Sequence, residues 1–144
     1  MPKYKIAKNP SNNYDIKLCL IKECNVPHSA SMIRKSVLID NNIRYEEEFS
    51  PAEDWALWCK LIAVTNFYNI PEPLLDYRCH ELNTTKTQSD KMDKAALMIE
   101  ALAKIRYPHL HMAYNLRATH IYKFTLFNKF TIIKIKQIQN LKKI

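Results

Sequence analysis

The stretch FSPAEDWALWCKL, residues 49–61, sets an acidic pair, Glu53 and Asp54, just ahead of two tryptophans, Trp55 and Trp58. A carboxylate in the first turn of a helix sits near the positive end of the helix dipole, which favours its ionised form and leaves it able to take up a proton. Asp54 is therefore a candidate general base. The same residues also have a structural account. Ser50 suits an N-cap, Pro51 the first helical position, and Glu53 falls three residues after the cap, the spacing of a capping box in which Glu53 reaches back to the cap's free N–H. Trp55, Trp58, Leu61 and Ile62 then follow at helical spacing and would bury one face.

Other residue types narrow the chemistry. The 144-residue chain contains no glycine. Loops that cradle phosphate need glycine for close backbone approach, so a P-loop or a dinucleotide fingerprint is excluded within this sequence. Left-handed turn positions fall instead to residues such as Asp40, Asn41 and Asn42. Of the four cysteines, Cys19, Cys24, Cys59 and Cys79, none forms a CxxC pair, and three lie in or beside apolar runs. That usage suits small buried hydrophobes in a reducing cytosol. Cys19, Cys24, Cys79 and His80 would supply a zinc ligand set, but their spacings match no zinc module.

The elements that must position these groups read as follows. Residues 13–24 form a short helix beginning near Asn13 or Asp15. Ser29–Ile33 reads as a short strand and Arg34–Asp40 as a short helix stopped by Asn41 and Asn42. Residues 43–49 are an exposed acidic loop, followed by the helix carrying Asp54, which ends at Asn66. FYNI and LLDYRC read as two strands, with Pro71 and Pro73 holding the link extended. A helix runs from Asp90 to about residue 106, with Ala95, Leu97, Met98, Ala101, Leu102 and Ile105 inside, until Pro108 breaks it. Residues 109–144 read as helical, with TIIKI also compatible with a strand.

Three motifs in order, HSASMIRKS (28–36), AEDWALWCKL (52–61) and FYNIPEPLLDYRCH (67–80), resemble the C-terminal half of a family 2 glycosyltransferase. The resemblance covers roughly residues 14–100 and implies an α/β fold: a partial GT-A-like (nucleotide-diphospho-sugar transferase) domain of short strands packed with helices. It implies that Asp54, next to Glu53, is the base that deprotonates an acceptor hydroxyl, with inversion at the anomeric carbon. It places His28 and Arg34 on the acceptor side of the cleft, and His80 near the nucleotide diphosphate or its metal. Arg78 could pair with a phosphate, or equally in a structural ion pair. Trp55 and Trp58 could stack on a sugar, although at helical spacing at least one of them belongs to the core.

The departure from the family is large. No Asp-x-Asp metal motif occurs in the sequence, so the resemblance implies an acceptor half without its donor half. The chain is then a fragment, a split subunit or a remnant, inactive alone. A divalent Mg or Mn ion enters only if a donor-binding half completes it. The partners expected are a nucleotide-sugar donor, a glycan or lipid-linked acceptor, a second polypeptide carrying the donor half, and a further copy of the chain.

Charge divides the chain at about residue 106. Residues 1–100 hold 13 Lys and Arg against 14 Asp and Glu, whereas residues 101–144 hold 9 Lys and Arg and no acid. We therefore read 1–106 as the transferase-like part and 107–144 as a basic, helical tail. The tail could contact anionic lipid headgroups, bind RNA, or pack on its own domain with its lysines in water. The alternative to a transferase half is accordingly a non-catalytic basic module for an anionic membrane surface or RNA. MPKYKIAKNP lacks the apolar core of a signal peptide, and no segment approaches the ~20 apolar residues of a membrane span. The expected location is cytoplasmic, with peripheral membrane contact through 107–144.

Overall fold

The computed structural model describes residues 6–78 and 80–117. Helix α1 spans Asn13–Leu20, α2 Lys35–Asp40, α3 Glu53–Leu61, α4 Thr84–Thr87 and α5 Ser89–Arg106. A further helix, α6, covers residues 108–117. Two 3-10 turns, His28–Ala30 and Glu47–Phe49, lie before α2 and α3.

Helix α1 is set by its first turn. Asn12 Oδ1 accepts the Asp15 N–H at 3.0 Å, and Asn12 Nδ2 donates back to Asp15 Oδ2 at 2.7 Å. This satisfies one orphan donor of the helix start and fixes the cap rotamer. Ile16 and Leu20, four residues apart, then fall on one buried face. Helix α2 ends as its sequence anticipates. Asn42 takes a left-handed φ of 49°. The Ile43 N–H reaches Leu38 O at 2.9 Å, and the Asn42 N–H reaches Ile39 O at 3.1 Å. This is a Schellman closure, with asparagine standing where glycine is usual.

The core forms where α3 meets α1 and α5. Trp55 Nε1 donates to Leu20 O at 2.8 Å, and Cys59 Sγ lies 3.4 Å from the same oxygen. Two α3 side chains thus satisfy a carbonyl that the C-terminal turn of α1 leaves free. Tyr107, just beyond α5, donates its hydroxyl to Cys59 O at 3.0 Å. Lys22, two residues past α1, pairs with Glu100 of α5, and Arg117 of α6 pairs with Asp15 of α1. Tyr107 and Leu110 are buried in this same core, so the first residues assigned to the tail pack with residues 1–106; residues 118–144 of that tail lie outside the described residues.

The expected α/β arrangement is corrected. Helix accounts for 55% of the described residues and strand for none. Each segment read as a strand spends its backbone bonds elsewhere. At Ser29–Ile33 the chain makes a 3-10 turn, closed by the Ser31 hydroxyl donating to Pro27 O at 2.6 Å. Around residue 67, the Phe67 N–H goes to Asn13 Oδ1 at 2.9 Å and the Asn69 N–H to Ser11 O at 3.3 Å. Asn69 Nδ2 donates to Pro10 O at 2.7 Å and to Asn25 O at 3.1 Å. Asparagine side chains strap this segment across the start of α1, where a strand would need a ladder partner. Residues 73–78 are exposed and follow Pro71 and Pro73, which offer no N–H to a ladder.

Two further expectations are corrected. The Ser50–Glu53 capping box does not form. The turn at Glu47–Phe49 takes the Ser50 N–H onto Glu47 O and the Ala52 N–H onto Phe49 O, so α3 begins at Glu53 with Ala52 at the cap. The loop 43–49 is also not wholly exposed, because Phe49 enters the core and Glu46 pairs with Lys60. On α5 the buried stripe is Ala95, Ile99 and Ala103, and Leu97, Met98, Leu102 and Ile105 face outward. Ala95 and Ala103, on either side of Ile99, leave room for the bulky side chains of α3, and the other large apolar residues of α5 turn away from the core. Among the described residues no helix is long and apolar enough to cross a membrane.

Candidate functional site

Asp54 and Trp58 lie four residues apart on one face of α3. Asp54 Oδ1 accepts the Trp55 N–H at 2.7 Å, so the carboxylate serves the helix start. His28, delivered by the 3-10 turn after Pro27, sets its ring 6.0 Å from that of Trp58 at 57°. It also meets the Tyr45 ring edge-on, at 5.8 Å and 81°. Residues 28, 45, 54 and 58 therefore share one corner of the molecule.

Asp54 is felt by its neighbours. The Tyr45 phenol is pushed up, first by burial and then by the negative charges of Asp54 and Glu53. The Cys24 thiol is pushed up to about 12, first by burial of its sulfur and then by Asp54. Cys24 as a residue is exposed. Its Sγ nevertheless turns in toward Val26 O, 3.6 Å away, so the desolvation belongs to the sulfur more than to the residue. Trp58 is 2% exposed, and its Nε1 has no hydrogen-bond partner; Glu53 Oε2 is likewise buried and unpartnered. A buried N–H without an acceptor costs roughly 1–3 kcal/mol.

The structure does not gather every residue singled out in the sequence. Trp55 is 7% exposed and lies in the core, its indole N–H spent on Leu20. Arg34 caps α2 from an exposed position and makes no ion pair among the described residues. Arg78 and His80 belong to a separate exposed group built on Asn83. Asn83 Oδ1 accepts the His80 N–H at 2.7 Å, and its Nδ2 donates to Tyr77 Oη at 2.9 Å and faces Arg78 O at 3.4 Å. No hydrogen bond or ion pair among the described residues joins this group to Asp54. Tyr45 went unnoticed in the sequence because it stands in an acidic run. Its signal was an aromatic ring in a polar loop leading into the helix that carries Asp54.

Among the described residues no three His, Cys, Asp or Glu side chains come together as a metal site. His80 by itself offers one nitrogen donor, whereas a hard Mg or Mn ion prefers several oxygen ligands. The zinc set fares no better: Cys79 lies outside the described residues, and Cys19, Cys24 and His80 do not gather.

Burial makes the core sensitive to alkali. The Cys59 thiol is pushed from 9.0 up to about 12, first by burial and then by Cys24. A raised thiol contributes stability that is intact below the unfolded value of 9.0 and is lost as pH rises toward the folded value of about 12. Urea midpoints should hold steady below pH 9 and fall above it, and Cys59→Ala should flatten that fall. An equal alkaline fall in wild type and Cys59→Ala would show that the thiol is not the group responsible.

Comparison of the chain with protein-family models, with curated proteins and with solved structures returns no match.

Proposed function

We propose that this chain is the acceptor-side half of an inverting, sugar-nucleotide-dependent glycosyltransferase of the family 2 kind, completed by a second polypeptide that binds the donor. The observation supporting this most is the meeting of the first two motifs, 26 residues apart in sequence at His28 and Asp54, around Trp58. An acceptor glycan entering this corner would lie against His28 and Tyr45, with Trp58 packed behind His28. As the acceptor oxygen attacks the anomeric carbon, its proton passes to Asp54. The bond from that carbon to the nucleoside diphosphate breaks on the opposite face, and configuration inverts. Arg78 and His80, held apart around Asn83, are left for contact with the donor or its protein half.

The isolated chain lacks donor-binding carboxylates and glycine-bearing loops. Calorimetry with UDP-, GDP- and dTDP-sugars in the presence of Mn²⁺ should therefore give no heat of tight binding. Co-expression with a polypeptide bearing an Asp-x-Asp nucleotide-sugar half should give a complex that transfers sugar. A micromolar dissociation constant for the chain alone would overturn the split reading. Salt-dependent binding to RNA or anionic vesicles, without sugar transfer in any complex, would put the basic binding module in its place.

A further inference from the structure

Helix α5 buries Ala95, Ile99 and Ala103 and leaves its other large apolar side chains outside. Met98, Leu102 and Ile105, spaced i, i+4 and i+7, are 46%, 52% and 77% exposed along one side of the helix, with Leu97 beside them at 69%. On α6, Met112 and Leu116 extend the stripe at 63% and 55%. Two clefts flank Ile105, and Ile105 lines both. One, of about 260 Å³, opens against Phe49 and Leu102, and the other against Pro108, Met112 and Leu116. These side chains together present on the order of 600 Å² of apolar surface, the upper end of what the largest patch of a monomer exposes.

We propose that a second copy of this chain covers the face, in a two-fold symmetric dimer. Three observations select that partner. The area suits it: each partner of a standard interface contributes about 800 Å², and ~600 Å² of apolar surface with a polar rim around it reaches that size. The shape is self-complementary. Ile105 is the ridge of the face and its clefts are the holes, so a two-fold axis seats the Ile105 of each copy in a cleft of the other. One patch then supplies both halves of the contact. The charge is mixed. Glu46 is paired with Lys60 and Glu100 with Lys22. The other exposed charges around the face, among the described residues, are Glu48, Asp90 and Asp93 against Lys91, Lys94, Lys104 and Arg106, three acids and four cations. An anionic lipid surface or a nucleic acid draws on a patch of one sign, whereas a copy with the same mixed rim meets no strong like-charge field. The inference stands apart from the transferase reading.

The test is sedimentation equilibrium of the full chain from about 1 to 100 µM, joined to a crosslink that reports the surface used. The mass should climb with concentration from 17.0 kDa toward twice that value. Ile105→Asp should weaken the dimer about tenfold or more, because it presses a carboxylate into an apolar contact. Its far-UV circular dichroism should match wild type, since Ile105 is exposed within one chain. Met32→Asp, at a position 99% exposed and off this face, should leave the dimer unchanged. The crosslink uses a mixture of ¹⁴N chain carrying Ile105→p-benzoyl-phenylalanine with ¹⁵N wild type. Irradiation should join position 105 to the ¹⁵N tryptic peptides 95–104 or 107–117, in a yield that falls on dilution. A monomer throughout the concentration range would overturn the proposal, as would a dimer that Ile105→Asp leaves intact. Crosslinks confined to the ¹⁴N chain, in a yield indifferent to dilution, would assign the face to a contact within one chain. Crosslinks that pass to lipid when phosphatidylserine vesicles are added would assign it to a membrane, and either result counts equally against a second copy.

Discussion

In a complex with a donor-binding polypeptide, Asp54→Asn should lower the rate of sugar transfer by about 10²–10⁴-fold, the range that a positioned general base contributes. The substitution preserves shape and hydrogen-bonding capacity. The amide oxygen can still accept the Trp55 N–H that Asp54 Oδ1 holds at 2.7 Å, so α3 should start where it does now. Donor binding and the unfolding midpoint should stay near wild type, while the turnover rate falls and the acceptor KM changes little. That split marks an interaction made only as the proton moves. The cost of losing one helix-dipole charge, about 0.3–1 kcal/mol, would appear in the unfolding curve and not in the rate. Full transfer by the Asp54→Asn complex would reduce the acidic pair to an aid to helix initiation.

Trp55→Ala should destabilise the fold by about 3–5 kcal/mol, the cost of emptying a large aromatic site in a packed core. The indole is 7% exposed and carries the hydrogen bond to Leu20 O that joins α3 to α1, so its loss also leaves that carbonyl short of a donor. Against a total stability of about 5–15 kcal/mol for an ordinary domain, this is enough to unfold a marginal one. Trp55→Phe should retain most of the packing and lose about 1–2 kcal/mol with the hydrogen bond. Urea unfolding followed by far-UV circular dichroism measures both. A loss below 1 kcal/mol for Trp55→Ala would free the ring from its core role and restore it as a sugar-stacking candidate.

The chain illustrates which features a sequence carries on its own. The start of α1 near Asn13, the left-handed Asn42 closing α2, the first-turn position of Asp54 and the extent of α5 were all legible. Each depends on hydrogen bonds or steric limits among residues within about five positions, and no other part of the chain can alter those greatly. The absence of strands among the described residues was not legible. A strand exists only when a distant partner accepts its ladder, and here Asn13 and Ser11 receive the N–H groups of Phe67 and Asn69 from more than fifty residues away. The Ser50 cap failed for a related reason, since the Glu47–Phe49 turn, whose Phe49 enters the core, displaced the helix start to Glu53. The α5 sequence offers both a stripe of Ala95, Ile99 and Ala103 and one of larger apolar residues, and periodicity cannot say which faces inward. The bulk of α3 decided for Ala95, Ile99 and Ala103. The corner joining His28, Tyr45, Asp54 and Trp58 is likewise a tertiary product. The sequence named three of those four as candidates, but their meeting depends on how the 3-10 turn at His28–Ala30 and the loop through Tyr45 pack on α3, and no local spacing encodes that.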